Sequence, residues 1–187
     1  MSLIFLRVLT IATGLLLMSA SLSRFPANTA ALAQPAPSQD KARLSGRALE
    51  DQIEAGFRAR GFDVIADKEW DQSEDRNHPH LRRVILDARY ASIYGHAARI
   101  EFLLLLPGRR ILIEVKRQNT SGSTDEKLPY VYANAELNIS FGQEFVLIMD
   151  GEGWKPGARD WIAGKDREND SFTVFTPDEF LVWVEGL

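Results

Sequence analysis

Residues 98–117 read ARIEFLLLLPGRRILIEVKR. Two apolar runs, 98–106 and 110–117, flank Pro107-Gly108, a pair suited to a tight turn. Such runs around a turn predict two antiparallel strands. Side chains alternate between the faces of a strand. Ile111, Ile113 and Val115 therefore point one way, and Leu112, Glu114 and Lys116 the other. A two-residue turn pairs Leu106 with Arg109 and sets Glu101 opposite Glu114. A four-residue turn sets Glu101 opposite Lys116. Both place Glu101 on the face of Glu114 and Lys116, because the side-chain period is two. A three-residue turn needs a bulge to do the same.

Two acids and a lysine at neighbouring sheet positions have a chemical use. Carboxylates are hard oxygen ligands suited to Mg²⁺, with Mn²⁺ accepted as well. Such a cation can hold a phosphate oxygen and acidify a water. A lysine beside it can orient that water or neutralise charge at phosphorus. The plain alternative is a surface ion pair on a sheet edge, which adds little stability. The apolar flank 102–106 favours a partly buried cluster, since charge there needs a reason.

Working outward, Ser45 is an N-cap candidate, and Leu49, Ile53 and Phe57 recur at helical spacing before Gly61. These predict a helix over about 46–60. A short strand over 62–66, a polar loop over 67–81 and a strand over 83–91 follow. Tyr94-Gly95 turns the chain into the 98–106 strand. Beyond 117, Ser121-Gly122-Ser123-Thr124 is a loop before a helix over about 125–139, and 144–149 (EFVLIM) is a buried strand. Asp150-Gly-Glu-Gly reads as a turn. A helix containing Trp161 and Ile162, a strand over 172–175 and a helix opened by Thr176-Pro-Asp-Glu complete the order. The short 62–66 strand set aside, the result is an α/β layered domain, a helix, three strands, a helix and a strand, with a small C-terminal βα extension.

At this point the sequence resembles the PD-(D/E)XK nuclease superfamily. Ile113 to Lys116 (IEVK) is similar to its strand motif, and Glu101 stands where the family usually has Asp. Ile100 replaces the proline of the family's name. The run 113–137, IEVKRQNTSGSTDEKLPYVYANAEL, resembles a bacterial and phage branch in which EVK-x-Q leads to a Gly-Ser-x-Asp-Glu-Lys turn, and DGEGWKPGARDWI over 150–162 fits the same branch. Asp125-Glu126-Lys127 also fits Asp-x-Lys, but it opens a helix and lacks a flanking strand. The resemblance implies a restriction-endonuclease-like αβββαβ core, a mixed sheet flanked by helices. It further implies Mg²⁺-dependent endonuclease action on DNA, with Glu101, Glu114, Lys116 and Gln118 catalytic and Glu50 an accessory metal ligand beside Glu101 and Glu114. A solvated helix face is the alternative for Glu50. Ser123 and Lys127, at a helix start, are candidates for phosphate contacts, as are Arg83 and Arg99.

Arg82, Arg83, Arg89, Tyr90, Tyr94 and Arg99, with Arg109 and Arg110 in the turn, offer a local nucleic-acid patch; ordinary solvated charge is the alternative. His78 and His80 lack a third ligand nearby. Trp154, Trp161 and Trp183 read as packing residues.

The chain has 187 residues, a net charge of −4 and no cysteine. Disulfides, thiolate metal sites and cysteine nucleophiles are excluded, and no global basic signature points to nucleic acid. Residues 1–20 are almost wholly apolar, with Arg7 the only charge, and Ala31-Leu32-Ala33 precedes Gln34. Residues 1–33 therefore read as a signal peptide of an exported, periplasmic protein, or as a membrane anchor. A misassigned start codon, giving a cytoplasmic protein, is the third reading. Residues 34–44 are expected to be a linker, and 45–187 the nuclease-like domain. No small-molecule cofactor is expected, membrane contact comes only through the leader, and a homodimer is left open. A silent nucleic-acid-binding or interaction domain and an envelope protein with a structural acid–lysine cluster are the competing functions.

Overall fold

A computed structural model describes residues 39–75 and 81–187. Six strands, β1 (Asp63–Ala66), β2 (Arg83–Ala91), β3 (Ala97–Leu106), β4 (Arg109–Arg117), β5 (Glu144–Asp150) and β6 (Phe172–Phe175), form one sheet in chain order. The pairs β2–β3 and β3–β4 are antiparallel, while β1–β2, β4–β5 and β5–β6 are parallel. Parallel neighbours need a crossover, and helices supply it. One face is covered by α1 (Gln39–Ala59) and α5 (Pro177–Glu185), the other by α3 (Leu128–Ile139) and α4 (Pro156–Glu168). A four-residue helix, α2 (Gln72–Asp75), lies between β1 and β2. The expected mixed α/β sheet between helices is present.

The sequence explains each layer. Leu49, Ile53 and Phe57 form one stripe of α1 and are buried against Val84, Phe102, Ile113 and Phe180. Residues 145–149 of β5 are buried throughout, as a central parallel strand with both faces covered requires. Helix α5 starts with a capping box: the Thr176 hydroxyl accepts from the Glu179 amide, and Glu179 accepts from the Thr176 amide at 2.8 Å.

The β3–β4 turn takes the shorter of the two expected registers. Leu106 pairs with Arg109, and pairing runs to Phe102 with Ile113. Gly108 has φ 72°, a conformation open to a residue without Cβ.

Three local differences from the expected elements have physical causes. Helix α1 begins at Gln39, so residues 39–44, in the segment expected to be linker, are helical. That segment, QDKARL, contains good helix formers and no proline. Ser45 is thus inside the helix, and its hydroxyl accepts from Asn119 Nδ2 at 3.0 Å. The expected helix over 125–139 is a 3₁₀ turn (Thr124–Lys127) followed by α3, whose first turn holds Pro129. The expected loop 67–81 contains a 3₁₀ turn (Asp67–Glu69) as well as α2. The leader, residues 34–38 and the His78–His80 pair lie outside the described residues. Among the described residues no helix is long and apolar enough to cross a membrane.

One irregularity sits beside the predicted cluster. Among the described residues Asp87 is the only non-glycine with positive φ, at 53°. Pairing of β2 with β3 skips Asp87 and Glu101, yet the register is the same on both sides. Val84 and Phe102 lie in the core beneath α1, whereas Ala88 and Ile100 lie in the core beneath α3. Ordinary alternation would keep these even-numbered residues on one face. The strand pair therefore rolls at this level.

Phe57 is fully buried, with ring centroids 5.3 Å from Phe62 and 5.6 Å from Phe180. Phe57→Ala is expected to cost about 3–5 kcal/mol, read as a lower urea midpoint; a loss below 1 kcal/mol would contradict this packing.

Candidate active site

Beyond the Phe102–Ile113 pair, β3 and β4 stop pairing, and side chains fill the opening. Glu101 Oε2 accepts from the Val115 amide at 3.1 Å, in place of a strand carbonyl. Lys116 Nζ lies 3.4 Å from Glu101 Oε1, donates to the Val115 carbonyl at 3.1 Å, and forms a close ion pair with Glu114 Oε1. Alternation places Glu114 and Lys116 on the α3 face with Leu112. The sequence-predicted trio is thus brought together, with Glu114 only 12% exposed.

Burial and crowding set the electrostatics. Desolvation, followed by the repulsion of Glu101, pushes the Glu114 carboxyl up to about 7 against the attraction of Lys116. Desolvation opposes the Lys116 charge, but Glu114 and then Glu101 outweigh it, so the ammonium is held above its ordinary value. Glu50, on α1, is also raised, by burial first and Glu101 second, with Arg47 and Lys116 opposing. Glu50 therefore shares the field of the trio.

The other predicted residues fall into different places. Gln118 is buried, and its amide is fully engaged: Nε2 donates to Asp125 Oδ1 and the Gly153 carbonyl, both at 2.8 Å, and Oε1 accepts from the Thr124 amide at 2.9 Å. It ties the exit of β4 to the 3₁₀ turn and to the loop after β5. That loop needs its glycines, because a Cβ on Gly153 would meet the Thr120 backbone at 2.4 Å. Ser123 and Lys127 are exposed before α3, and Ser123 makes no side-chain cap. Arg83 pairs with Asp63 at 2.7 Å. It is four residues along β2 from Asp87, about 13 Å at the rise of a strand, so the structure does not bring it to the trio. Arg99 lies closer, donating to the Asp87 carbonyl at 2.5 Å and lying 3.7 Å from Asp67.

Two contributors escape a reading of side-chain types. One is the Val115 carbonyl, a main-chain atom. The other is Tyr90, read from the sequence only as part of the basic patch: it packs on the α3-face core with Ala88, and its hydroxyl is raised by burial and then by Glu114, Tyr130 and Glu101.

Among the described residues no three His, Asp or Glu side chains are arranged as a metal site. Two carboxylates and a carbonyl nevertheless converge on one cation, the Lys116 ammonium. Their donors are all hard oxygens, the type a divalent Mg²⁺ or Mn²⁺ takes. The residues therefore fit such an ion, with the ammonium standing at a cation position.

The family model for a PD-(D/E)XK nuclease superfamily domain matches residues 41–187. The chain belongs to this superfamily. The match includes α5 and β6, so the C-terminal βα extension is part of the PD-(D/E)XK domain, and it starts within the segment expected to be linker. No curated protein matches the chain significantly.

The raised Glu114 of the PD-(D/E)XK domain has a consequence for stability. The carboxyl titrates near its ordinary 4.5 when unfolded and near 7 when folded. The folded state binds more protons between these values, so this contribution is complete below about 4.5 and lost as pH rises through about 7. Glu50 acts in the same direction. In a chelator, Tm is expected to fall between about pH 5 and pH 8, and Glu114→Gln to reduce that fall, raising Tm at the upper end by about 2–4 °C. A pH slope identical in the variant would rule out Glu114 as its source.

Proposed function

We propose that this protein is a divalent-metal-dependent nuclease that hydrolyses DNA phosphodiester bonds. The observation that carries the reading is the convergence of Glu101, Glu114 and the Val115 carbonyl on one cationic position. Membership of the superfamily supports hydrolysis of nucleic acid as the reaction class.

In this reading Glu101, Glu114 and the Val115 carbonyl hold Mg²⁺, or Mn²⁺, with Glu50 as an accessory acid. When bound, the ion supplies Lewis acidity toward a phosphate oxygen and lowers the pKa of a water. Glu101 is preset for its part by the Val115 amide, which fixes one of its oxygens. Lys116 moves its ammonium from the carboxylates toward the substrate, orienting the attacking water and offsetting charge that builds at phosphorus. Gln118 is a positioning residue, since its amide is spent on the loops that frame Lys116. Lys127, Ser123 and Arg99 are candidates for backbone phosphates; Arg83 is the weakest of the proposed contacts because Asp63 holds it.

The test is nicking of supercoiled plasmid with Mg²⁺, with Mn²⁺ and with chelator. Metal-dependent nicking is expected, reduced about 100- to 1,000-fold by Lys116→Ala, the loss typical of a charge-stabilising donor. Undiminished nicking by Lys116→Ala sinks the mechanism. Retention of DNA with no cleavage under any metal sinks the activity and leaves a silent binding domain.

Export to the periplasm is the proposed setting, on the signal-like residues 1–33. Sequencing the N-terminus of the protein from its native cell is expected to begin at Gln34; a start at Met1 overturns cleavage.

A further inference from the structure

The turn between β2 and β3 projects a tyrosine over α3. Tyr94 is 69% exposed, yet its ring is held in a stack. Its centroid is 5.4 Å from that of Tyr130, with 22° between the planes, and 6.2 Å from that of His96, with 19° between them. Three rings from two elements thus stand nearly parallel at the surface.

The turn is fixed by buried polar groups. The Ile93 amide donates to Asn134 Oδ1 at 3.0 Å, and Asn138 Nδ2 donates to the Ala91 carbonyl at 2.8 Å. Both asparagines are 1% exposed. Asn134 also donates to the Tyr130 carbonyl at 2.9 Å. One side chain therefore ties the turn that carries Tyr94 to the residue whose ring it covers. Within the turn, Ser92 is buried and its hydroxyl accepts from the Tyr94 amide at 3.1 Å. Buried polar groups persist where they are bonded, and here the bonds of Asn134 and of the Asn138 Nδ2 fix an exposed ring.

The stack and the acid–lysine trio lie on the same side of the sheet, since Tyr130 is on α3 and Glu114 and Lys116 share the α3 face of β4 with Leu112. Tyr90, packed on that face four residues before Tyr94, is within electrostatic reach of Glu114, Tyr130 and Glu101. Lys127 is exposed one helical turn before Tyr130, a spacing that puts neighbours on one side of a helix. A continuous duplex hides its base faces, whereas an unpaired nucleotide offers them to aromatic rings.

We infer that Tyr94, backed by Tyr130, is a stacking platform for an unpaired base, so that the site takes single-stranded DNA, or DNA unpaired at the cut, in preference to continuous duplex. The identity of the ligand as DNA rests on the nuclease reading above. Lys127 then faces the backbone phosphate of the stacked nucleotide.

The test uses the Lys116→Ala protein with Mg²⁺, so that substrate is bound rather than cut. Anisotropy of a labelled single strand and of its duplex gives a ratio of affinities, and 2-aminopurine in the strand reports stacking by quenching. Single-strand preference with quenching is expected. Adding Tyr94→Ala should lower the ratio about 5- to 150-fold, the range for one base–aromatic stack. Adding Tyr94→Phe, which keeps the ring, should preserve it and so separate a lost platform from a disturbed turn. An unchanged ratio in Tyr94→Ala, an equal loss in Tyr94→Phe, or duplex bound as tightly as single strand overturns the platform. Tighter binding of RNA of the same sequence overturns DNA as the ligand. Plasmid nicking and single-strand cleavage by the unsubstituted protein are scored separately. Cleavage of plasmid or of the single strand with an unchanged ratio rejects the platform alone, and stacking with cleavage of neither rejects the nuclease alone.

Discussion

Two carboxylates and one ammonium occupy a slot that is mostly shielded from water, and the charges do not balance. Glu101 and Glu114 repel across the end of the β3–β4 ladder, and Lys116 neutralises only one of them. Desolvation makes each charge costly, so the excess has to be removed by a proton or met by a cation. In the protein alone a proton answers, which is why Glu114 is raised to about 7. A divalent ion would answer more completely, since it matches both carboxylates and releases the ammonium for other work. The unbalanced charge is the reason a bound cation is expected at this point in the fold.

The surrounding structure serves to hold that imbalance. The Pro107-Gly108 turn fixes the register, so that Glu101 lies one step past the last paired rung. The roll at Asp87 and Glu101 then opens the sheet at that step, and the Glu101 carboxylate replaces a strand carbonyl as acceptor for Val115. Left-handed backbone at a non-glycine residue costs on the order of 1–3 kcal/mol and tends to occur where structure around it enforces the strain. Here the Arg99 guanidinium holds the Asp87 carbonyl. On the far side of β4, Gln118 fastens the loops, and Ser45 of α1 receives Asn119. The acids are held by helices, strands and loops at once, so little rearrangement is left for a bound ion to impose.

Much of this was legible because it follows from two periods. The period of two put Glu114 and Lys116 together, and the helical spacing of Leu49, Ile53 and Phe57 placed α1 with Glu50 on the neighbouring turn. The two-residue turn made Glu101 join them. Less legible was how Glu101 arrives. Simple alternation sets it on a flat face, whereas it reaches sideways to a main-chain amide after the strands roll. The cause, Asp87, was visible only as an acid in the run VILDARYA, where strands disfavour it and αL tolerates it. Gln118 was read as catalytic from the resemblance alone. The strand instead ends at Arg117, and the amide turns inward to bonds supplied by residues distant in sequence. Arg83 looked like part of a basic patch because neighbours in sequence were basic, but a parallel strand brought Asp63 to it.

That last case is general for this molecule. Arg83 pairs with Asp63, Arg89 and Arg99 share Asp67, Arg109 pairs with Glu144 and Arg117 with Asp150. With a net charge of −4, most of the arginines around the sheet are already offset within the fold. Long-range attraction of a polyanion by a positive field is therefore weak here. Two short-range means are left. On the proposed reading, a divalent ion at Glu101 and Glu114 would grip phosphate only at contact, and stacked rings such as Tyr94 and Tyr130 would grip a base only when it is unpaired. Both discriminate by local chemistry rather than by total charge. On the proposed reading, an acidic chain would act on nucleic acid without holding every duplex it meets, because most arginines of the sheet are already paired within the fold.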